Sequence, residues 1–262
     1  MDLGIAGRTA LVLAGGGGLG SAIARELAAE GARVAVAGRT EEKSAAVVDA
    51  IVAAGGTAWA TPAWDLADLD AVEGRITEIE SALGPIDILI NNTGGPPPGS
   101  AAGHSAQVWQ AQFTAMVLSV ISITDRVLPG MTERGWGRIV TSTSSGAIVP
   151  IPHLGLSNTL RSSLLGWSKT LAGEVARHGV TVNVVVPGRI ETERTAALDA
   201  AKAGREGITV EEVRAASTAA IPAGRYGTPR EYGQAVAFLA SEAASYITGS
   251  ILRVDGGYIA AV

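Results

Sequence analysis

Short apolar runs alternate with helix-like segments along the whole chain. The runs are rich in Val, Ile, Leu and Ala and lack a polar residue at every second position, which is typical of strands covered on both faces. This alternation predicts the α/β class: a single doubly wound (Rossmann-type) domain with a seven-stranded parallel sheet. The predicted strands are 9–14, 33–37, 57–65, 86–91, 138–142, 180–186 and 251–254, and the predicted helices are 21–30, 41–54, 67–83, 105–134, 156–177 and 229–240.

One segment departs from this rhythm. Residues 193–221 follow the sixth predicted strand and are predicted to form a mobile insertion that covers the substrate. No linker and no repeat divides the chain, so residues 1–262 are expected to form one domain.

Composition narrows the class of protein. Apolar residues make up 47% of the chain, enough for a sizeable core, and the formal net charge of −5 comes without a basic stripe. These features argue against nucleic-acid binding. There is no cysteine, the three histidines are not spaced as metal ligands, and no run approaches the 18 apolar residues of a membrane span. Because the N-terminus also lacks a signal-peptide pattern, we expect a soluble, cytoplasmic protein without metal or membrane contacts.

A glycine-rich turn joins the first predicted strand to the first helix. Gly15, Gly17 and Gly20 satisfy the G-x-G-x-x-G pattern, in which glycine lets the backbone approach a pyrophosphate at a helix N-terminus. Four consecutive glycines also match many patterns by chance, so a flexible turn is the alternative. The position between strand and helix favours a dinucleotide site.

The residues after the second strand indicate which dinucleotide is bound. An acid there would bind the ribose hydroxyls of NAD, but this chain has Gly38-Arg39-Thr40. Arg39 could pair with a 2′-phosphate, which favours NADP(H) over NAD(H); alternatively it is a solvated surface charge. Asp65, placed at the end of the third strand, could accept a hydrogen bond from the adenine amino group or cap the next helix.

Three further motifs carry a family resemblance. They are Asn91-Asn-Thr-Gly94, Pro187-Gly188 followed by Thr192, and Val254-Asp-Gly-Gly257. With the glycine turn, they make the chain similar to the short-chain dehydrogenase/reductase family over essentially its whole length. The resemblance implies that the cofactor is held by Ala14, Gly15, Gly17, Gly18, Leu19, Gly20, Arg39, Asp65, Leu66, Asn91, Thr93, Gly94, Arg161, Pro187, Gly188, Ile190 and Thr192.

The same resemblance implies a changed catalytic set. The family uses Asn, Ser and a Tyr-x-x-x-Lys pair, and alignment puts Met116, Ser144, Ser157 and Arg161 at these positions. A serine does not ionise usefully near neutral pH, and an arginine keeps its proton. The hypothesis is therefore a reductase of a ketone or 3-oxoacyl-type carbonyl with a non-standard proton donor.

Two residues near this site have open roles. His153 precedes the predicted helix 156–177, which carries Ser157 and Arg161. It could donate the proton, or it is a loop histidine without a role. Arg189 could face the nicotinamide or the substrate, or pair with Glu191 or Glu193.

Other functions stay open. A dinucleotide-binding sensor or partner subunit without redox turnover, and a non-redox lyase or isomerase, are the alternatives. The resemblance also implies a homotetramer, or a homodimer, in which helices 105–134 and 156–177 pair across one interface.

Overall fold

Seven parallel strands form one sheet in the order β3-β2-β1-β4-β5-β6-β7. The structure is a computed structural model and describes residues 2–261. The strands are β1 (Thr9–Val12), β2 (Arg33–Val36), β3 (Thr57–Ala60), β4 (Ile86–Asn91), β5 (Gly137–Ser142), β6 (Val180–Pro187) and β7 (Ile251–Val254). The predicted fold class, a Rossmann-type domain with a seven-stranded parallel sheet, is confirmed.

Helices cover both faces of the sheet. They are α1 (Gly18–Ala29), α2 (Glu41–Ala53), α3 (Val72–Leu83), α4 (Ala106–Phe113), α5 (Ser119–Arg134), α6 (Gly155–Val175), α7 (Glu193–Glu206), α8 (Val210–Ala219) and α9 (Pro229–Leu239). Residues of α1, α2 and α9 form a core with one face of the sheet, and residues of α3, α5 and α6 form a core with the other. Burial on both faces explains why the strands read as continuous apolar runs.

The third strand and third helix are shorter than predicted. β3 ends at Ala60, so Asp65 lies in the following connection and not at the end of a strand. The Asp65 carboxylate accepts from the Ala67 main-chain N–H at 3.0 Å, and the Asp68 N–H donates to the Asp65 carbonyl at 3.0 Å. These bonds close a turn, and α3 therefore begins only at Val72.

The long predicted helix forms without a break. A π-helical turn, Thr114–Leu118, joins α4 to α5, so the helical chain runs over Ala106–Arg134. Contrary to the prediction, an 18-residue window of it has mean hydropathy 1.3, which is apolar enough to cross a bilayer. A core helix passes the same test, and Ile123, Val127 and Met131 lie in the core against the sheet.

The predicted insertion at residues 193–221 is helical. Thr192 caps α7 by accepting from the Thr195 N–H at 3.2 Å, and Thr209 caps α8 by accepting from the Glu212 N–H at 3.1 Å. The sequence rhythm was broken because these two helices follow one another without a strand between them.

Candidate active site

The turn after β1 is held in a narrow shape by main-chain and side-chain bonds. Ala14 has a left-handed backbone conformation, with φ 48°. A side chain at Gly20 would collide with the Ala14 carbonyl and lie 2.9 Å from the Gly15 Cα. The Asn92 Nδ2 donates to the carbonyls of Leu13 and Ala14 at 3.2 and 3.4 Å. The turn is thus tied to the Asn91–Gly94 segment, as a shared binding site requires.

Space and donors around this turn fit a dinucleotide. A Cβ added to Gly17 or to Gly94 would meet no atom of the described part of the chain within 4 Å, so the backbone is open to a ligand at both places. Thr192 lies 3.9 Å from the corresponding position on Gly18, which brings the start of α7 over the turn. The Thr93 Oγ1 is buried, and within residues 2–261 it has no hydrogen-bond partner. Open backbone beside an unpartnered hydroxyl is suited to binding a polar ligand.

The residues predicted to contact the adenosine half lie beside the end of β2. Arg39 is exposed in the connection from β2 to α2. The Trp64 N–H donates to the Gly38 carbonyl at 2.9 Å, which brings Asp65 and the buried Leu66 close to Arg39 in the fold. The connection that carries Asp65 thus lies beside the one that carries Arg39.

Arg161 projects from α6 into the end of the sheet. Its guanidinium is buried and donates to the carbonyls of Thr93 and Gly94, both at 3.1 Å, and of Ser142 at 3.4 Å. Burial lowers the pKa of Arg161 to about 10, so the side chain is still cationic at neutral pH. These bonds hold the Asn91–Gly94 segment against β5 and α6, a role beyond the cofactor contact that the family resemblance implies.

The serines predicted to act on the substrate have different surroundings. Ser144 follows β5, and its Oγ accepts from the Gly146 N–H at 3.1 Å, capping a short 3₁₀ turn. Ser157 is buried in the first turn of α6, one helical turn before Arg161.

His153 lies outside that buried group. Its side chain is exposed, and its backbone has φ 60°. The His153 carbonyl accepts from the Gly99 N–H at 2.7 Å, which anchors the loop after β4 to the start of α6.

Pro187 is the last residue of β6, and Gly188 follows it. The Gly188 N–H donates to the Val254 carbonyl at 2.9 Å. Ile190 is buried and forms a parallel bridge with Gly227. The predicted ion pair of Arg189 with Glu191 or Glu193 is wrong, because Arg189 pairs with Asp199 of α7.

The sequence analysis did not predict three side-chain contacts near the site. Asn92 is the second residue of the Asn-Asn motif, and its place directly after a buried strand was a usable signal. Arg194 reaches from α7 to the Pro96 carbonyl at 2.8 Å, and Lys43 Nζ lies 4.0 Å from Glu193 Oε2. Both depend on the helical packing of residues 193–206, which no local pattern revealed.

Comparison with known proteins agrees with this geometry. Residues 13–259 match a family model described as enoyl-(acyl carrier protein) reductase. The chain is 36% identical over 253 residues to the 3-oxoacyl-(acyl-carrier-protein) reductase of Escherichia coli strain K12, covering 96% of this chain and 97% of that protein.

Solved structures give the same result. One is a single-substitution variant of actinorhodin polyketide ketoreductase with NADPH, with TM-score 0.91, 33% identity and coverage of 96% of this chain and 97% of that one. Another is a putative NAD(P)-dependent gluconate 5-dehydrogenase from Beutenbergia cavernae with bound NADP, with TM-score 0.89, 37% identity and complete coverage of both chains. Sequence, fold and site therefore agree, and the chain belongs to the short-chain dehydrogenase/reductase family.

Proposed function

We propose that the protein is a cytoplasmic, NADP(H)-dependent oxidoreductase that reduces a ketone or a 3-oxoacyl-type carbonyl with a non-standard proton donor. The observation that carries the proposal is the open backbone at Gly17 and Gly94, joined by Asn92 into one site. A polyketide ketoreductase solved with NADPH and a putative gluconate 5-dehydrogenase solved with NADP support the choice of cofactor and reaction.

The cofactor supplies a hydride to the carbonyl carbon when it is bound. In our proposal the open backbone at Gly17 leaves room for the pyrophosphate at the N-terminus of α1, and Arg39 binds the 2′-phosphate. Gly15 and Gly20 permit the close packing of the turn that shapes this site. The nicotinamide half of the cofactor would be surrounded by Asn91, Thr93, Pro187, Gly188 and Thr192. The absence of an acid directly after β2 favours a phosphate at this position.

The carbonyl oxygen gains one proton as the hydride arrives. We propose that Ser144 orients this oxygen and that the proton comes from His153 or from water relayed by Ser144 and Ser157. Arg161 stays protonated, since its pKa of about 10 is well above neutral pH, and its positive charge stabilises negative charge that develops nearby. General acid help is worth ~10²–10⁴-fold, so a weak donor implies slow turnover.

The test is oxidation of NADPH against a panel of ketones and 3-oxoacyl thioesters. We expect turnover of at least one class, and a drop in its rate with Ser144→Ala. Unchanged turnover in Ser144→Ala would show that the active site is elsewhere.

A second candidate function is dinucleotide binding without redox turnover. It is favoured by the three hydrogen bonds that Arg161 donates to main-chain carbonyls. These bonds give Arg161 a structural role in holding the Asn91–Gly94 segment, and such a role does not require a reaction. Tight NADPH binding with no oxidation across the panel is the outcome that would select it.

A further inference from the structure

Two arginines approach the Thr93–Pro96 segment from opposite elements. Arg161, on α6, donates to the Thr93 and Gly94 carbonyls at 3.1 Å. Arg194, in the first turn of α7, donates to the Pro96 carbonyl at 2.8 Å, and its Nη2 lies 3.1 Å from the place where a Gly95 Cβ would be. Arg194 therefore links the start of α7 to the loop after β4, next to the Asn91–Gly94 segment of the proposed site.

Both positive charges lack a carboxylate partner within residues 2–261. Neighbouring arginines are paired: Arg189 with Asp199, and Arg214 with Glu191. Glu193, next to Arg194 in the chain, points instead toward Lys43. The region thus carries two uncompensated cations close together, and the charge of Arg194 contributes to the lowered pKa of Arg161.

The arrangement leaves donors and space for an anion. Arg194 uses one of the five N–H donors of a guanidinium on Pro96, and a planar guanidinium can bind a carboxylate through two parallel hydrogen bonds. Beside it, the space above Gly94 is open. The two arginines favour the charged form of a carboxylate in this space, because a bound carboxylate would offset the repulsion between the two guanidinium groups.

We propose that Arg194 binds a carboxylate group of the substrate, so that the preferred substrate is an oxo acid. This inference rests on the proposed reductase function and specifies the class of its substrate. Arg161 is a positioning residue in this respect: its own donors hold the loop, and its charge adds attraction for the anion.

The experiment compares matched acid and ester probes. Oxo acids of four to six carbons, each paired with its methyl ester, are assayed for NADPH oxidation with the wild type, Arg194→Gln and Arg205→Gln. Arg205 is the matched control, because it lies on the same helix and removes the same charge roughly 16 Å along the axis from Arg194. We expect the wild type to prefer acids, and Arg194→Gln alone to lower kcat/KM for acids by roughly 10–150-fold with little change for esters.

A binding measurement makes the result independent of turnover. Calorimetric titration of the NADP⁺-loaded protein with the same acids should show affinity that Arg194→Gln loses and Arg205→Gln keeps. This outcome without NADPH oxidation would support the carboxylate site while rejecting the reductase function. Reduction of esters without any acid preference would reject the carboxylate site alone. Equal loss of NADP⁺ and acid affinity in Arg194→Gln would also overturn the inference, since Arg194 would then bind the cofactor pyrophosphate.

Discussion

Ala14 occupies a backbone conformation that glycine adopts more easily. Its φ of 48° lies in the left-handed region, which side chains other than glycine's hydrogen disfavour. The turn keeps its shape with alanine because Asn92 bonds the Ala14 carbonyl and Gly20 leaves it room.

Arg39 should decide between the two nicotinamide cofactors. A charge-assisted hydrogen bond to the 2′-phosphate is worth ~1.5–3 kcal/mol, or roughly 10–150-fold in affinity. We expect NADPH to raise the melting temperature more than NADH at equal concentration, and Arg39→Ala to remove most of that difference. Equal stabilisation of the unmodified protein by both cofactors would rule out this role.

His153 should reveal itself in the dependence of the rate on pH. A histidine acid donates only while protonated, so the rate of carbonyl reduction would fall with rising pH. We expect His153→Ala to lose this fall while NADPH affinity is kept. The same profile in wild type and variant would leave water, relayed by Ser144 and Ser157, as the proton source.

At the scale of elements, strand positions follow from the sequence more closely than the connections do. Continuous apolar runs identified β4 and β7 to the residue. The end of β3 was misplaced because Trp64 is buried outside any strand, so its apolar character extended the predicted run. The contacts of Arg161 and Arg194 with main-chain carbonyls could not be predicted, because every residue has such a carbonyl and the sequence does not indicate which one an arginine will reach.

The turn between β1 and α1 gives a sharp test of stability. Gly20→Ala should destabilise the fold, because the new methyl group would collide with the Ala14 carbonyl. Moving this carbonyl would require a shift of the backbone, which costs free energy. Gly74→Ala is the control: Gly74 lies within α3, where a Cβ has open space, and alanine should stabilise the helix by ~0.5–1 kcal/mol. Denaturant unfolding of both variants measures these effects, and a fully stable Gly20→Ala would contradict the close approach of Gly20 to Ala14 in this turn.

The N-terminus of α9 should make stability sensitive to acid. Hydrogen bonds from Arg225, and then from the Thr228 main chain, lower the pKa of Glu231 from 4.5 to about 2. A lowered folded-state pKa stabilises the protein above the unfolded pKa, and this contribution is lost as pH falls from about 4.5 to about 2.

Melting temperatures across this range should therefore separate wild type from Glu231→Gln. We expect the wild type to be the more stable at neutral pH and the difference to close under acid. Glu211→Gln, in the first turn of α8, is the matched change of charge at another helix start. A difference that persists unchanged at the lowest pH would mean that the Glu231 charge is not its source.

At the scale of the molecule, the sheet topology brings the segments of the candidate site together. All seven strands are parallel, so the segments after β1, β2, β4, β5 and β6 emerge at one edge of the sheet. The strand order reverses between β1 and β4, where a crevice is expected, and Asn92 joins the two strands there. The sequence could predict this gathering of distant segments because it follows from strand direction alone.

The outer face of α4 and α6 bears on the proposed homotetramer or homodimer. An apolar cavity of about 390 Å³ is lined there by Trp109, Gln110, Phe113, Thr159, Leu160 and Ser163, and Phe113 is 38% exposed. A second copy of the chain would cover this face, so Phe113→Glu should bury a charge in the interface and reduce the mass measured by light scattering. Val52→Glu is the control, because Val52 is 54% exposed on α2, away from these helices. A monomeric wild type would refute the proposed assembly, and an unchanged mass for Phe113→Glu would place the interface on another face.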